Sequence, residues 1–265
     1  MAFIFTKNRL SKAVLICTGQ SDGLLNSLIK DNPSYMLPVL NRPLIEHTIE
    51  FLKSHGIKSI SVTVPKSAGL NIEEFSGNLM QTMDNGVEIN CIEEEKPAGS
   101  AGILRGLKGI SGDESFIVIG GNIFIQDIDL DEVFAEHVNR KSMLTVGIVK
   151  KKGFPTDGIA IEKDFSVKAF SAIHPSRERR SQYSPLDFYV FDAKALKYIK
   201  DSGYFDIKEQ LVPALKASGA HVYATELKGA VRAINTVEDY FEAHRDALVN
   251  GDFSKGRLVE VSENV

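Results

Sequence analysis

The feature that most constrains the fold is a short apolar segment followed at once by a glycine-containing loop. Residues 13–17 form an unbroken apolar run, which is typical of a central strand in a parallel sheet covered on both faces. Residues 18–25 follow this run and contain Gly19 and Gly23. A loop in this position commonly holds phosphate groups in α/β folds. The loop contains no Lys or Arg, so the sequence predicts a phosphate loop without its positive charges.

Strand and helix patterns alternate along most of the chain. Residues 44–55 have apolar side chains at helical spacing, and residues 59–64 are rich in β-branched residues, which together predict a β-α-β unit. Later the pattern changes to shorter strands, predicted at residues 144–149, 159–162, 167–172 and 188–191. This order predicts an α/β fold with an open, mostly parallel, Rossmann-like sheet and a small antiparallel insertion. Ligands of such sheets bind beyond the carboxyl ends of the strands.

Composition and charge exclude several classes of protein. The 265 residues are 43% hydrophobic and 25% charged, as in ordinary globular domains. A net charge of -4 argues against nucleic acid as a partner, because such proteins need a basic face. Cys17 and Cys91 are too few for a disulfide framework, which predicts reduced thiols and a cytoplasmic location. The apolar run at the N-terminus is too short to cross a membrane, so no membrane partner is expected.

Four segments occur in an order that a known family shares. They are K-A-V-L-I at residues 12–16, N-P-S-Y-M-L-P-V with N-R-P-L-I-E-H at residues 32–47, E-K-P-A-G-S-A at residues 95–101, and R-A-I-N-T-V-E-D-Y at residues 232–240. Together they resemble the sugar-phosphate nucleotidyltransferases, the pyrophosphorylases that make NDP-sugars from an NTP and a sugar 1-phosphate. The resemblance implies a nucleotide-diphospho-sugar transferase fold. It predicts a single domain over residues 12–250, an N-terminal extension of residues 1–11 and a tail of residues 251–265.

The residues that carry the family's chemistry differ at the matched positions. The loop Arg of the family corresponds to Leu24 or Leu25, the loop Lys to Ser34, and the two metal-binding Asp residues to Asn122 and Ala233. The resemblance therefore assigns no catalytic residue. If the register slips, Asn235 could supply a second carbonyl, so Asn122 and Asn235 are the candidate metal ligands. Mg²⁺ is expected only if the chain is active, since an amide oxygen is a weaker ligand for this hard cation than a carboxylate.

The resemblance also implies a base pocket and a sugar pocket. The residues it assigns to nucleotide binding are Gly19, Gln20, Gly99, Ser100, Ala101 and Gly121. An alternative interpretation of the third segment is an ordinary helix start that Ser100 caps. The sugar pocket would contain Gly158, Asp187 and Tyr189, with Asp187 in place of a family glycine. The family's Glu-Lys pair, which grips sugar and phosphate, corresponds to Ala172 and Ile173.

Several other side chains have a structural interpretation. Asp127, Asp129 and Asp239 are nearby carboxylates, which we expect to be solvated or to cap helices. Leu24 and Tyr35 stand where the family has reactive groups, and we expect both to pack over a closed or emptied phosphate site.

Three functions remain compatible with the sequence. The first is a catalytically impaired or inactive relative that binds a nucleotide or NDP-sugar, acting as a regulatory or interaction protein in a homo-oligomer or with an active paralogue. Each lost charge removes several kcal/mol of transition-state stabilisation in enzymes of this kind. The alternative is an active sugar-1-phosphate nucleotidyltransferase with relocated charges, drawn from Lys30, Arg42, Arg105 and Arg232. The third is a structural scaffold that binds no nucleotide. The sequence does not identify the base or the sugar.

Overall fold

The computed structural model describes residues 10–17, 33–68, 71–82, 86–107, 109–110, 114–150, 158–171 and 182–250. The predictions on Gly19, Gln20, Leu24, Leu25, Lys30, Ala172 and Ile173 lie outside these residues. The strands are β1 (Lys12–Ile16), β2 (Pro38–Val39), β3 (Arg42–Pro43), β4 (Ser59–Pro65), β5 (Glu88–Glu94), β6 (Ser115–Gly120), β7 (Ile123–Gln126), β8 (Leu144–Lys150), β9 (Gly158–Ile161), β10 (Val167–Ser171), β11 (Tyr183–Asp192), β12 (Val222–Glu226) and β13 (Ala230–Ala233).

Helices connect most of these strands. The α-helices are α1 (Leu44–Ser54), α2 (Ile72–Thr82), α3 (Leu130–Asn139), α4 (Val212–Ala217) and α5 (Val237–Asn250). Short 3₁₀ turns occur at Ser34–Met36, Lys66–Ala68, Gly102–Gly106 and Ala193–Tyr198, and a π-helical turn at Ile207–Leu211 leads into α4. None of the helices in the described part of the chain has the length and apolar character that a membrane-spanning segment requires.

Seven strands form the central sheet in the order β12-β8-β11-β6-β1-β4-β5. The pairs of β1 with β4 and β6, and of β4 with β5, are parallel. Val14 and Leu15 of β1 are fully buried on opposite faces, in two different core clusters. The prediction of an open, mostly parallel sheet with a covered first strand is therefore confirmed.

The fold contains the predicted small antiparallel insertion, which is the separate pair of β9 and β10. The other two short strands predicted between residues 144 and 191 correspond to β8 and β11 of the main sheet. β11 lies between β6 and β8 and is antiparallel to both. The reason is the length and burial of β11, because Phe188 and Val190 face one core cluster while Tyr189 and Phe191 face the other. A strand that is apolar on both faces belongs in the interior of a sheet.

Two short strands that the sequence pattern does not indicate complete one corner of the fold. β7 pairs with β13 in antiparallel fashion, with Ile123 opposite Ala233. Phe124 of β7 lies in a small apolar cluster with Ile234 and with Ala243 and Ala247 of α5. This cluster fixes α5 against the turn that follows β6, so a segment near the C-terminus reaches the same edge of the sheet as the central strands.

Candidate functional site

Several predicted site residues lie at one edge of the central sheet. Because β1, β4, β5 and β6 are parallel, their carboxyl ends share this edge. The segment containing Gly99 follows β5, and the turn containing Gly121 and Asn122 follows β6. The β7–β13 pair brings Asn235 to the same turn. The topology thus assembles in one region residues that are far apart in sequence.

The segment predicted to form the base pocket is held by backbone contacts to a distant loop. Gly99 has φ +81°, and a Cβ atom at this position would lie 2.6 Å from the carbonyl oxygen of Phe205. The same carbonyl accepts hydrogen bonds from the backbone N–H groups of Ala101 at 2.9 Å and Gly102 at 2.8 Å. The N–H of Phe205 donates to the carbonyl of Ala98 at 2.8 Å. Only glycine fits at residue 99, since the conformation and the close approach both exclude a side chain.

Ser100 links this segment to the helical turn that precedes α4. Its hydroxyl donates to Asp206 Oδ2 at 2.7 Å and accepts from the backbone N–H of Ile207 at 2.9 Å. The other carboxylate oxygen of Asp206 accepts from the backbone N–H groups of Lys208 and Glu209. Ser100 therefore helps cap a helical segment more than a hundred residues away. The alternative interpretation of Ser100 as the cap of its own helix is wrong, because the turn that follows has no side-chain cap.

Gly121 is required for packing against the end of β1 and against Tyr35. A Cβ atom at this position would lie 2.7 Å from the sulfur of Cys17 and 3.2 Å from the Cβ of Tyr35. The N–H of Gly121 donates to the carbonyl of Ile16 at 2.8 Å, so this amide is used within the protein. Tyr35 is only 1% exposed and packs edge-on against Phe75. Burial raises the pKa of Tyr35, and its side chain forms part of the core.

The two candidate metal ligands lie side by side. Asn122 Nδ2 donates a hydrogen bond of 2.8 Å to Asn235 Oδ1. Ala233, the position matched to a family Asp, lies in β13 opposite Ile123. The expected capping roles of two nearby carboxylates are confirmed. Asp239 accepts from the N–H of Thr236 at the start of α5, and Asp129 caps α3.

This donor set does not fit Mg²⁺. The cation prefers anionic oxygens in octahedral geometry, whereas the two asparagines offer neutral carbonyls, one of which already accepts the hydrogen bond between them. Within the described ranges, no three His, Cys, Asp or Glu side chains are grouped so that they could hold a metal ion.

Asp187 occupies the space next to the end of β6. Its Cβ lies 3.0 Å from the position that a Cβ at Gly120 would take. Asp187 Oδ1 accepts from the Tyr189 hydroxyl at 2.9 Å and pairs with Lys208 Nζ at 2.8 Å. Burial raises the pKa of the Asp187 carboxyl, but the Lys208 ammonium and the two hydrogen bonds outweigh it, so this pKa lies below its ordinary value. The carboxylate is 52% exposed and remains charged at neutral pH.

A cavity of about 620 Å³ lies beside this ion pair. Gly158, Asp206 and Lys208 are among its lining residues, together with Lys168 and Lys216. Of the three predicted sugar-pocket residues, Gly158 lines the cavity and Asp187 pairs with one of its lysines. Tyr189 is 2% exposed and buried behind Asp187, so its hydroxyl acts by holding that carboxylate. Burial raises the pKa of Tyr189, which keeps the hydroxyl protonated and able to donate.

Two of the arginines that the hypothesis of relocated charges requires interact with other groups of the protein. Arg232 pairs with Asp246 at 3.0 Å and with Glu242 at 3.6 Å, both on α5. Arg105 donates to the carbonyl of Gly203 at 2.7 Å. These interactions orient each guanidinium toward a protein group.

Arg42 is engaged in the same way. It lies 3.7 Å from Glu46 and 3.4 Å from Glu50, both on α1. The three described cations of the alternative hypothesis thus have protein partners, and Lys30 lies outside the described residues.

Comparison with known proteins identifies the family. The sequence model of the nucleotidyl transferase family matches residues 12–250. The chain belongs to this family. The resemblance inferred from the four motifs is therefore confirmed, and the central sheet is the one expected for it.

Individual relatives are distant. A UTP–glucose-1-phosphate uridylyltransferase of Synechocystis is 26% identical over 251 residues, covering 89% of this chain and 63% of the relative. A D-glycero-α-D-manno-heptose 1-phosphate guanylyltransferase of Aneurinibacillus thermoaerophilus is 26% identical over 156 residues, covering 59% of this chain and 65% of the relative. The match thus spans slightly less than two thirds of the length of these curated relatives.

Solved structures support the fold. The UDP-glucose pyrophosphorylase of Acinetobacter baumannii superposes with a TM-score of 0.71 at 17% identity, covering 94% of this chain and 96% of that chain. At this identity the similarity shows the shared fold and does not transfer an activity.

Sequence reasoning missed two residues of the site, Asp206 and Lys208. A local signal existed for the first, because Asp206 directly precedes an apolar helical run and is a favourable N-cap residue. No local signal links Lys208 to Asp187, since the pair forms only when β11 and the turn before α4 pack together.

Proposed function

We propose that this chain binds a nucleotide or an NDP-sugar at the carboxyl edge of its sheet and transfers nucleotidyl groups poorly or not at all. The observation that carries the proposal is the engagement of Arg42, Arg105 and Arg232 with protein groups. Nucleotidyl transfer requires cations that offset the charge of the phosphates in the transition state. A chain that lacks the family's own charges and directs these arginines elsewhere has little means of supplying that stabilisation.

In this proposal the chain retains the residues that bind the ligand and take no part in the transfer reaction. In this proposal the base lies against Gly99, Ser100 and Ala101, whose geometry is held by the loop at Phe205. The phosphates would be bound by Gly19 and Gln20, as the resemblance to the family implies. Binding of this kind needs shape and backbone groups more than catalytic charge.

The sugar lies toward the cavity that Gly158 lines. Asp187 lies beside this cavity, paired with its lining residue Lys208, and its charged carboxylate is an acceptor for the hydroxyl donors of a sugar. Tyr189 keeps that carboxylate in place. We propose residues 12–250 as the binding domain, acting as a regulatory subunit in a homo-oligomer or beside an active paralogue.

The ligands to test are chosen from the substrates that the names of the relatives state. One is a uridylyltransferase and another a guanylyltransferase, so the panel must contain both bases, and glucose 1-phosphate and heptose 1-phosphate as acceptors. Two assays on the same panel decide the proposal. The first measures pyrophosphate release with Mg²⁺, with the Synechocystis enzyme as a positive control. The second measures the melting temperature with each nucleotide and NDP-sugar, because a ligand that binds the native state raises it.

We expect no pyrophosphate release above the blank, and a rise in melting temperature with at least one member of the panel. Release at a rate comparable with the positive control would establish the active alternative. Neither release nor a thermal shift would favour the scaffold. A matched variant that combines Ser34→Lys, Asn122→Asp and Ala233→Asp restores charges at three positions, and we expect it to gain measurable Mg²⁺-dependent release.

A further inference from the structure

Side-chain amides join the turn after β6 to the turn before α5. Asn122 Nδ2 donates to Asn235 Oδ1 at 2.8 Å. Beside this bond, the backbone N–H of Ile234 donates to the carbonyl of Asn122 at 2.8 Å. The backbone bond extends the antiparallel pairing of β7 with β13 by one more step. Two hydrogen bonds between protein groups therefore join the two turns.

Among the described residues, two carboxylates near this amide pair are each engaged with another protein group. The nearest carboxylate on α5, that of Asp239, accepts from the backbone N–H groups of Asn235 at 3.3 Å and Thr236 at 3.1 Å. It is thus used to cap the helix. Asp187, on the other side of the turn, is paired with Lys208. A divalent cation placed between the asparagines would have to displace their hydrogen bond and would gain only neutral oxygens.

We infer that the hydrogen bond between Asn122 and Asn235 is a cation-independent tie, which joins the two turns without a metal ion. Two carboxylates at the same positions would need a divalent cation between them to join the turns. One asparagine donates and the other accepts, so the pair attracts without an ion. Two carboxylates at the same distance would both be acceptors of like charge, and would separate unless a cation lay between them. The tie also positions Asn122, whose Oδ1 lies 3.1 Å from the place of a Cβ at Gly120, at the edge of the candidate site.

The inference is tested on the full chain without any nucleotide, by melting temperature in EDTA and in millimolar Mg²⁺ or Mn²⁺. We expect the wild-type protein to melt at the same temperature in all three conditions. The variant N122D/N235D is expected to melt about 2–6 °C lower in EDTA and to recover with either cation. The matched variant N122A/N235A is expected to melt lower in all three conditions without recovery, because it loses the tie and gains no ligand.

Two results would overturn the inference. One is a cation-dependent rise in the wild-type melting temperature that N122A/N235A abolishes, which would make the asparagines a cation site. The other is wild-type stability of N122A/N235A, which would mean that the amides do not hold the turns. If N122D/N235D does not fold, the comparison of N122A/N235A with the wild-type protein in EDTA still tests whether the amides hold the turns, and N235D is expected to melt like the wild-type protein in all three conditions, because the Asn122 amide can donate to its carboxylate. Because no nucleotide is present, the outcome is independent of whether the proposed function is correct.

Discussion

Two regions at the same edge of the sheet have diverged to different extents. The base segment, residues 99–101, matches the family motif and keeps a dense set of contacts to the loop at Phe205. The metal region, at Asn122 and Asn235, keeps the backbone pairing of its strands but has Asn122 and Ala233 at the two positions matched to the family's Asp residues. The contrast teaches that a fold can keep the backbone pairing of a region while the side chains at the family's matched positions change. Variants that disturb each region separately show whether the stability and ligand binding of one region depend on the other.

The largest expected effect comes from Gly99→Ala in the base segment. A Cβ at this position would meet the Phe205 carbonyl oxygen at 2.6 Å in a left-handed conformation, so we expect a loss of about 3 kcal/mol in the free energy of unfolding. Any thermal shift by nucleotide should vanish as well. The measurement is urea unfolding with and without ligand. The matched control is Gly77→Ala in α2, where a Cβ has no atom within 4 Å and the expected change is a gain of up to about 1 kcal/mol.

A smaller effect is expected from Ser100→Ala, which removes both hydrogen bonds of the hydroxyl. The loss should be about 1–2 kcal/mol, because Asp206 then lacks one of its donors and the N–H of Ile207 lacks its acceptor. A double-mutant cycle with Asp206→Ala measures the coupling in urea unfolding. We expect the two losses to be non-additive by about 1 kcal/mol. Additive losses would show that the base segment and the turn before α4 are energetically separate.

Asp187→Asn is expected to change the pH dependence of stability more than stability at neutral pH. The pKa of Asp187 is lowered in the folded state, so the stability it contributes is present above its unfolded pKa and is lost as pH falls through the folded value. Because the side chain is half exposed, the effect should be below about 1 kcal/mol. Unfolding curves between pH 2 and pH 7 should therefore be flatter for the variant at the acidic end. Lys208→Met should reproduce part of this change.

The smallest effect is expected from Arg232→Gln. The guanidinium forms partly exposed ion pairs with α5, so its loss should lower stability by about 0.5–1 kcal/mol. Pyrophosphate release should stay at the level of the wild-type protein, because the arginine faces α5. Arg245→Gln, which removes a more exposed pair with Glu242, is the matched control and should be nearly neutral. A selective effect of Arg232→Gln on pyrophosphate release would revive the hypothesis of relocated charges.

Most of the fold could be predicted from local patterns. The covered strand at residues 13–17 and helix α3 are evident from apolar runs and spacing. The capping role of Asp129 follows from its position before α3, and that of Asp239 from its place in the first turn of α5. The place of β11 could not be predicted, because its pattern is compatible with a hairpin as well as with the middle of a sheet. The sequence also does not indicate β7 and β13, since four residues are too few for a periodic signal.

The sequence by itself determined the family, the position along the chain of most buried strands, and the absence of the family's charged residues at their matched positions. Only the tertiary structure decided which groups meet in their place. Asn122 bonds with Asn235 across 113 positions, and Ser100 bonds with Asp206 across 106. The physical reason is one of range. Apolar periodicity and capping act over a few neighbouring residues, whereas these pairs exist only once strand pairing and helix packing have brought distant segments to the same edge of the sheet.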